Sequence, residues 1–302
     1  MHPMMHPNAT LGAVAALGAA ALWAVSTILW TRQMAVSPPQ AMNLFKTGLC
    51  FPLFVATLLI AGPHPALTGV TPVAAGILVV SGVIGMSLGD TAYFSALRRI
   101  GARRTMMLQC LTPLFAAVLS LLMGEGLPGA VASIGVVLVV IGIVLVLRER
   151  PVGVVVRGRT RAGIALGLAS AFCQALGIIL TKRGMVSVGL LQASTIRILA
   201  GVVGILTLEA ITGQLGATVR HALRPPSLPR ILPAALMGSF LGFFLFQVAI
   251  QNSQPAVAAA LTGTSPLFVA PLSVVFLGEA MAVGGWIGTI LAVAGVALVM
   301  VA

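Results

Sequence analysis

Asp90 is the one aspartate in the chain, and it falls inside a long apolar stretch, one helical turn from Tyr93 and Phe94. In a membrane helix such a charge costs on the order of 2.5–3.5 kcal/mol at the centre, so it must face a cavity or a partner. Three roles stay open for it: a proton-coupling carboxylate, a counter-ion for a cationic substrate, or an ion pair with Lys46, Arg197 or Arg98. Lys46 and Arg197 stand a few residues into apolar stretches of their own. They either snorkel toward the membrane interface or face a central cavity and bind an anionic group such as a carboxylate. Trp23, Gln174 and Gln247 are candidate wall residues for a flat or amphipathic ligand, and Tyr93 joins the same pathway set. Pro113, Pro266 and Pro271 also lie within apolar stretches, where a proline removes a backbone hydrogen bond and kinks the helix. The neighbouring Gln109, Thr112, Thr262, Thr264 and Ser265 either satisfy the freed carbonyls or touch a polar substrate.

The elements that position these residues follow from composition. Of 302 residues, 59% are hydrophobic and 7% charged, against about one quarter charged in a soluble domain. That balance excludes a soluble enzyme and a soluble nucleic-acid binder, and no nucleic-acid partner is expected. A bilayer core about 30 Å thick needs about 20 apolar residues per helix, a length that divides the chain into ten spans. They run over 11–30, 41–61, 72–97, 104–123, 128–147, 162–181, 190–212, 231–251, 256–276 and 281–302. Short connections rich in Pro, Gly or Arg separate them, among them SPPQ at 37–40, RRIGARR at 98–104 and RPPSLPR at 224–230. The first apolar run has nothing basic ahead of it and is expected to stay as a span.

The spans repeat. PLFAAVLSLLMGE at 113–125 returns as PLFVAPLSVVFLGE at 266–279, and Gly85, Gly89, Gly135 and Gly142 return as Gly238, Gly242, Gly288 and Gly295 at a constant offset of 153. Nearer the start of each half the offset is 151, which pairs Gly12 with Gly163, Arg32 with Arg183, Lys46 with Arg197 and Trp23 with Gln174. Asp90 has no acidic counterpart, because its position in the second half is Phe243. The expected fold is an all-α integral membrane protein of ten transmembrane helices in two five-helix repeats, 1–150 and 151–302. Five is odd, so the second repeat enters the membrane inverted, with a cavity where the halves meet. Thirteen cations lie in the odd-numbered loops against Lys182 and Arg183 in the even-numbered ones. Cytoplasmic loops collect Lys and Arg, which puts both termini outside.

Two five-helix units, each with the PLF…LS…GE signature followed by a Gly-punctuated last helix, resemble the EamA-type transporters of the drug/metabolite transporter superfamily. The resemblance spans nearly the whole chain. It implies a secondary active transporter in the plasma (cell inner) membrane that works by alternating access. Such proteins are often exporters of amino acids, nucleosides, other small metabolites or drugs. The resemblance also implies cytoplasmic termini, opposite to the charge count, and both expectations stand. The partners expected are a small-molecule substrate, the lipid bilayer and a coupling proton for which Asp90 is the leading candidate, with the chain acting as monomer or homodimer.

The remaining motifs carry less. Glu125 and Glu279 follow Gly at the end of the repeated signature; there they act as caps for the next helix or as gate residues. Gly85, Gly89, Gly163, Gly167, Gly238 and Gly242 have the four-residue spacing that lets helices approach closely. Cys50, Cys110 and Cys173 lie far apart and form neither a disulfide framework nor a metal site. His2 and His6 belong to an N-terminal tail, and no cofactor is expected. The chain holds neither a phosphate-binding GxxxxGK[ST] loop nor HExxH, so ATP hydrolysis and a zinc peptidase are disfavoured, and no enzyme activity is expected. A lipid-handling protein that flips a lipid-linked intermediate is the alternative in another class.

Overall fold

A computed structural model describes residues 9–60, 70–122, 130–148, 160–185, 188–225, 228–252, 261–278 and 281–301. Every element among them is helical: α1 (Ala9–Met34), α2 (Pro39–Ile60), α3 (Pro72–Gly82), α4 (Asp90–Gln109), α5 (Thr112–Leu122), α6 (Ala130–Arg148), α7 (Thr160–Gly184), α8 (Leu190–Ile211), α9 (Leu215–Leu223), α10 (Leu228–Ala234), α11 (Phe243–Asn252), α12 (Ser265–Leu277) and α13 (Val283–Val301). A wide π-helical turn, Val83–Gly89, joins α3 to α4, and a second, Ala235–Gly242, joins α10 to α11. Shifted by the repeat offset of 153, the first turn falls on the second. Both halves thus carry the same irregularity at the same place.

Six of the helical segments are long and apolar enough to cross a bilayer: Thr10–Met34, Pro39–Ile60, Pro72–Gln109, Thr160–Thr181, Leu190–Ile211 and Leu228–Phe246. Shorter apolar helices lie at Ile134–Arg148, Ser265–Leu277 and Val283–Leu298. The third segment, at 38 residues, is nearly twice the length that a crossing needs. It is broken at Gly101, whose φ of 79° and ψ of 175° are not helical. That pairing of angles is open almost only to glycine, and it falls in the RRIGARR connection. Breaks also precede two of the prolines. The chain makes a tight turn at Cys110 and Leu111, with Cys110 N–H on the Met107 carbonyl and Leu111 N–H on that of Leu108, before α5 begins. Likewise Thr264 N–H bonds the Leu261 carbonyl before α12 begins. Pro113 and Pro266, repeat mates, then lie in the first turn of α5 and α12, where a missing N–H is harmless, whereas Pro271 lies inside α12.

Lipid tails are as apolar as leucine, so close packing and polar contacts hold membrane helices together. α6 packs along α13, α4 on α7, α2 on α8, and α1 on α11, α12 and the second π-turn. Gly142 meets Gly288 and Gly135 meets Gly295; each pair sums to the same number, so α6 and α13 run antiparallel. The largest buried cluster joins Trp30, Met42 and Phe94 of the first half to Ile205, Ile231 and Val269 of the second. Large apolar side chains such as Leu59, Ile60, Val137, Val275 and Ile290 remain exposed. A bilayer would cover such a surface, whereas in water it would aggregate.

Not every expected loop cation is solvated. Arg103 and Arg104 are buried just past the Gly101 break, and Arg104 Nη2 donates to the Leu147 carbonyl at 3.0 Å. Glu209, near the end of α8, is buried under α9 and accepts the Thr218 hydroxyl.

Candidate functional site

The two π-turns place the polar residues. An α-helix ties each N–H to the fourth carbonyl back, and a wide turn loosens that ladder, leaving carbonyls for side chains to satisfy. At the first turn Asn43 of α2 does so: its Nδ2 donates to Met86 O at 2.8 Å and to Ser87 O at 3.3 Å, and also reaches Thr91 Oγ1 at 2.9 Å. Gln174 of α7 contributes a longer contact from Nε2 to Gly85 O, 3.4 Å. At the second turn Trp23 Nε1 donates to Gly238 O at 3.0 Å. Trp23 and Gln174 are repeat mates, as are Gly238 and Gly85, so unlike side chains serve equivalent carbonyls.

A second contact is duplicated in the same way. Ser26 Oγ donates to Ala234 O at 2.7 Å, and Ser81 Oγ donates to Gly177 O at 2.7 Å. Residues 26 and 177 are mates, as are 234 and 81, with the hydroxyl on the opposite partner in each case.

Asp90 is the first residue beyond the first π-turn. Its Oδ2 pairs with Lys46 Nζ, and the two side chains are each 16% exposed. Its Oδ1 accepts Gln174 Nε2 at 2.7 Å. The Lys46 ammonium also stands 5.5 Å from the centre of the Phe94 ring, a cation–π distance. Of the partners open to Asp90, the structure selects Lys46, holds Arg197 within electrostatic reach, and adds Gln174. Arg197 itself is buried rather than snorkelling.

An aromatic wall adjoins this cluster. Tyr93 and Phe94 meet edge-on at 5.7 Å between ring centres, and Phe94 meets Trp30 at 5.2 Å. The Thr27 hydroxyl donates to the Trp23 carbonyl at 2.7 Å and so accepts the Tyr93 hydroxyl at 2.8 Å. Met106 Sδ lies 3.3 Å from the same phenol oxygen. Lys46, Asp90, Tyr93, Gln174 and Arg197 therefore gather around the first π-turn, whereas the Trp23 indole serves the second and reaches this cluster only through its carbonyl and Thr27.

Other expected site residues lie elsewhere. Gln109 Nε2 bonds Ser170 Oγ at 3.1 Å, and Thr112 Oγ1 approaches Gln109 Oε1 at 3.4 Å. Thr264 Oγ1 donates to Leu261 O at 2.6 Å, beside the backbone N–H of the same residue, and Ser265 Oγ donates at 2.7 Å to Thr262 O, the carbonyl that Pro266 deprives of a backbone donor. Gln247 is in α11, but its side chain, like that of Pro113, is outside the described set, and Glu125 and Glu279 lie outside the described residues altogether. Asn43 and Thr27 are the residues that sequence reasoning missed. The available signal was an amide inside a span, three residues ahead of Lys46.

Residues 85–89 read Gly-Met-Ser-Leu-Gly, which spells the GxSxG of a hydrolase elbow. That motif needs an exposed serine on a strand-to-helix turn. Here it lies in the π-turn, Ser87 is fully buried, and its Oγ has no hydrogen-bond partner. No group of three or more His, Cys, Asp or Glu residues able to hold a metal occurs among the described residues.

A search of curated proteins finds no match. Among solved structures, one crystal structure of a protein of similar size matches with a TM-score of 0.64 and 17% identity over 95% of each chain; at that identity the likeness speaks for the fold alone. The family model described as the EamA-like transporter family matches twice, over residues 10–148 and 161–301. Both halves of the chain are thus matched, and the protein belongs to the EamA-like transporters of the drug/metabolite transporter superfamily: multi-pass membrane proteins that act as transporters of small molecules and not as enzymes.

Proposed function

We propose that this chain is a secondary active exporter of a small solute, working by alternating access, with its binding and coupling region around Asp90. One observation carries the reading: Asp90 of the first half holds Lys46 of its own half and Gln174 of the other half at once. A carboxylate shared across two rocking halves changes partners as they move, which ties its charge state to the conformation. The proton is the coupling ion we assign to it.

Ten spans in two inverted halves remain our reading of the architecture. It is supported by the Gly101 break in an overlong helix, by the matching breaks ahead of Pro113 and Pro266, and by the duplicated π-turn contacts. We read the termini as external. Setting aside the buried Arg103 and Arg104 still leaves eleven loop cations against two. A C-terminal reporter active only in the cytoplasm reverses that orientation if it lights up.

The deciding experiment compares small-molecule pools inside and outside cells of the plasma-membrane-expressed protein and of Asp90→Asn. At least one metabolite should move outward with the wild type and stay inside with the variant. Unchanged solute pools with an altered lipid profile would overturn the export reading in favour of lipid handling.

A further inference from the structure

The charges around Asp90 do not balance. Lys46 and Arg197 occupy the same repeat position, yet only the first half supplies a carboxylate. In the second half that place is taken by Phe243, which packs edge-on to Phe54 at 5.4 Å between ring centres. Asp90 is already committed to Lys46 and Gln174 through its two oxygens. Arg197 is 7% exposed, no hydrogen bond links it to any described residue, and its Nε is buried without an acceptor. The other described acid, Glu209, is bonded to Thr218 twelve residues further along α8, about 18 Å at the usual helical rise.

The guanidinium tip lies against the backbone of the first π-turn. A Cβ built on Gly85 would stand 3.5 Å from Arg197 Nη2 and 3.9 Å from Gln174 Oε1. Arg197 and Gln174 therefore converge on Gly85, which carries no side chain. Gln174 donates through its nitrogen to Asp90 and, at longer range, to Gly85 O. A guanidinium stripped of water, whose carboxylate neighbour Asp90 is already shared by two other donors, is costly, and its planar fork matches a carboxylate through two parallel hydrogen bonds. Lys46, Arg197 and Asp90 together sum to one positive charge, which one monovalent anion cancels.

We propose that Arg197 recognises the anionic group of the transported solute, and that this group is a carboxylate carrying a single negative charge. The proposal rests on the transport reading above and deepens it: Lys46 serves Asp90, and Arg197 serves the substrate.

The test uses the full chain purified in detergent and a panel of monocarboxylates, aliphatic, aromatic and hydroxylated, each beside its own primary amide. Binding is read as the ligand-dependent rise in melting temperature. At least one carboxylate should bind and its amide should not. Arg197→Gln should weaken that carboxylate at least tenfold, whereas Arg197→Lys, which keeps the charge, should lose less. Amides binding as well as acids, no acid binding at all, or Arg197→Gln binding acids as the wild type does would each overturn the proposal. If Arg197→Gln fails to fold, the acid-over-amide preference of the wild type decides alone.

Tracer flux in phosphatidylcholine vesicles, which supply no anionic headgroup, keeps the two claims apart. An amide that crosses while no acid binds sinks the carboxylate site and leaves transport standing. A carboxylate that binds through Arg197 but does not cross sinks the transport reading instead.

Discussion

Gly142 of α6 and Gly288 of α13 face each other at the helix crossing so closely that a Cβ on either would run into the peptide carbonyl of the other. Backbone cannot step aside as a flexible side chain can. Gly142→Ala or Gly288→Ala should therefore destabilise the protein by about 1–3 kcal/mol, the usual range for overpacking. A lowered melting temperature in detergent checks this, and Gly48→Ala, where a Cβ meets nothing within 4 Å, should leave it nearly unchanged.

The Lys46–Asp90 pair predicts a non-additive pattern. Lys46→Met leaves a mostly buried carboxylate without its cation, and Asp90→Asn leaves the ammonium without its anion; breaking such a pair typically costs about 3–5 kcal/mol. The double variant removes both charges and should be more stable than the sum of the single losses by at least about 1 kcal/mol. Additive losses in a double-mutant cycle would mean that the pair is not coupled.

Gly101 should resist substitution for a conformational reason. Its angles belong to a region that non-glycine residues enter only at about 1–3 kcal/mol. Gly101→Ala should lower the melting temperature accordingly. It should also disturb the packing of Arg103 and Arg104, which protease sensitivity in the 98–104 connection would report.

Trp23→Phe keeps an aromatic ring but removes the pyrrole half of the indole and with it one donor. Gly238 O would then lose its side-chain partner in the second π-turn, a loss of about 1–3 kcal/mol for a buried unsatisfied carbonyl. Trp23→Gln, which imports the residue that serves the equivalent carbonyl in the other half, should recover part of the lost stability. Equal melting temperatures for the Phe and Gln variants would show that the hydrogen bond contributes nothing.

Much of the architecture was legible because bilayer thickness and helix breakers act locally. Runs of about twenty apolar residues mark helices, and the RRIGARR connection marks where one of them stops, at Gly101; Pro113 and Pro266 read as kinks within spans and instead open new helices after a break. The repeat placed Lys46 opposite Arg197 and Trp23 opposite Gln174 before any coordinates. What stayed hidden depends on how helices rotate about their axes. The sequence left Asp90 with three possible cations, and only the packed structure singles out Lys46. The π-turns have no local signature, since no proline lies within either one, and Asn43 gains its role only from the carbonyls that such a turn exposes. Arg103 and Arg104 read as loop cations by position, yet the Gly101 break carries them under neighbouring helices.

The two π-turns also bear on how this chain can change length. Elsewhere in a span, losing one residue turns every following side chain by about 100° and carries polar groups onto the lipid face. A turn with five residues between bonded groups can give one up by tightening into an ordinary helix. Within the described helical spans, residues 83–89 and 235–242 are thus places where a deletion can stay local. They also keep the helical faces before and after them in separate phase, so each half presents one set of side chains ahead of its turn and an independently aimed set, beginning with Asp90 or Phe243, behind it.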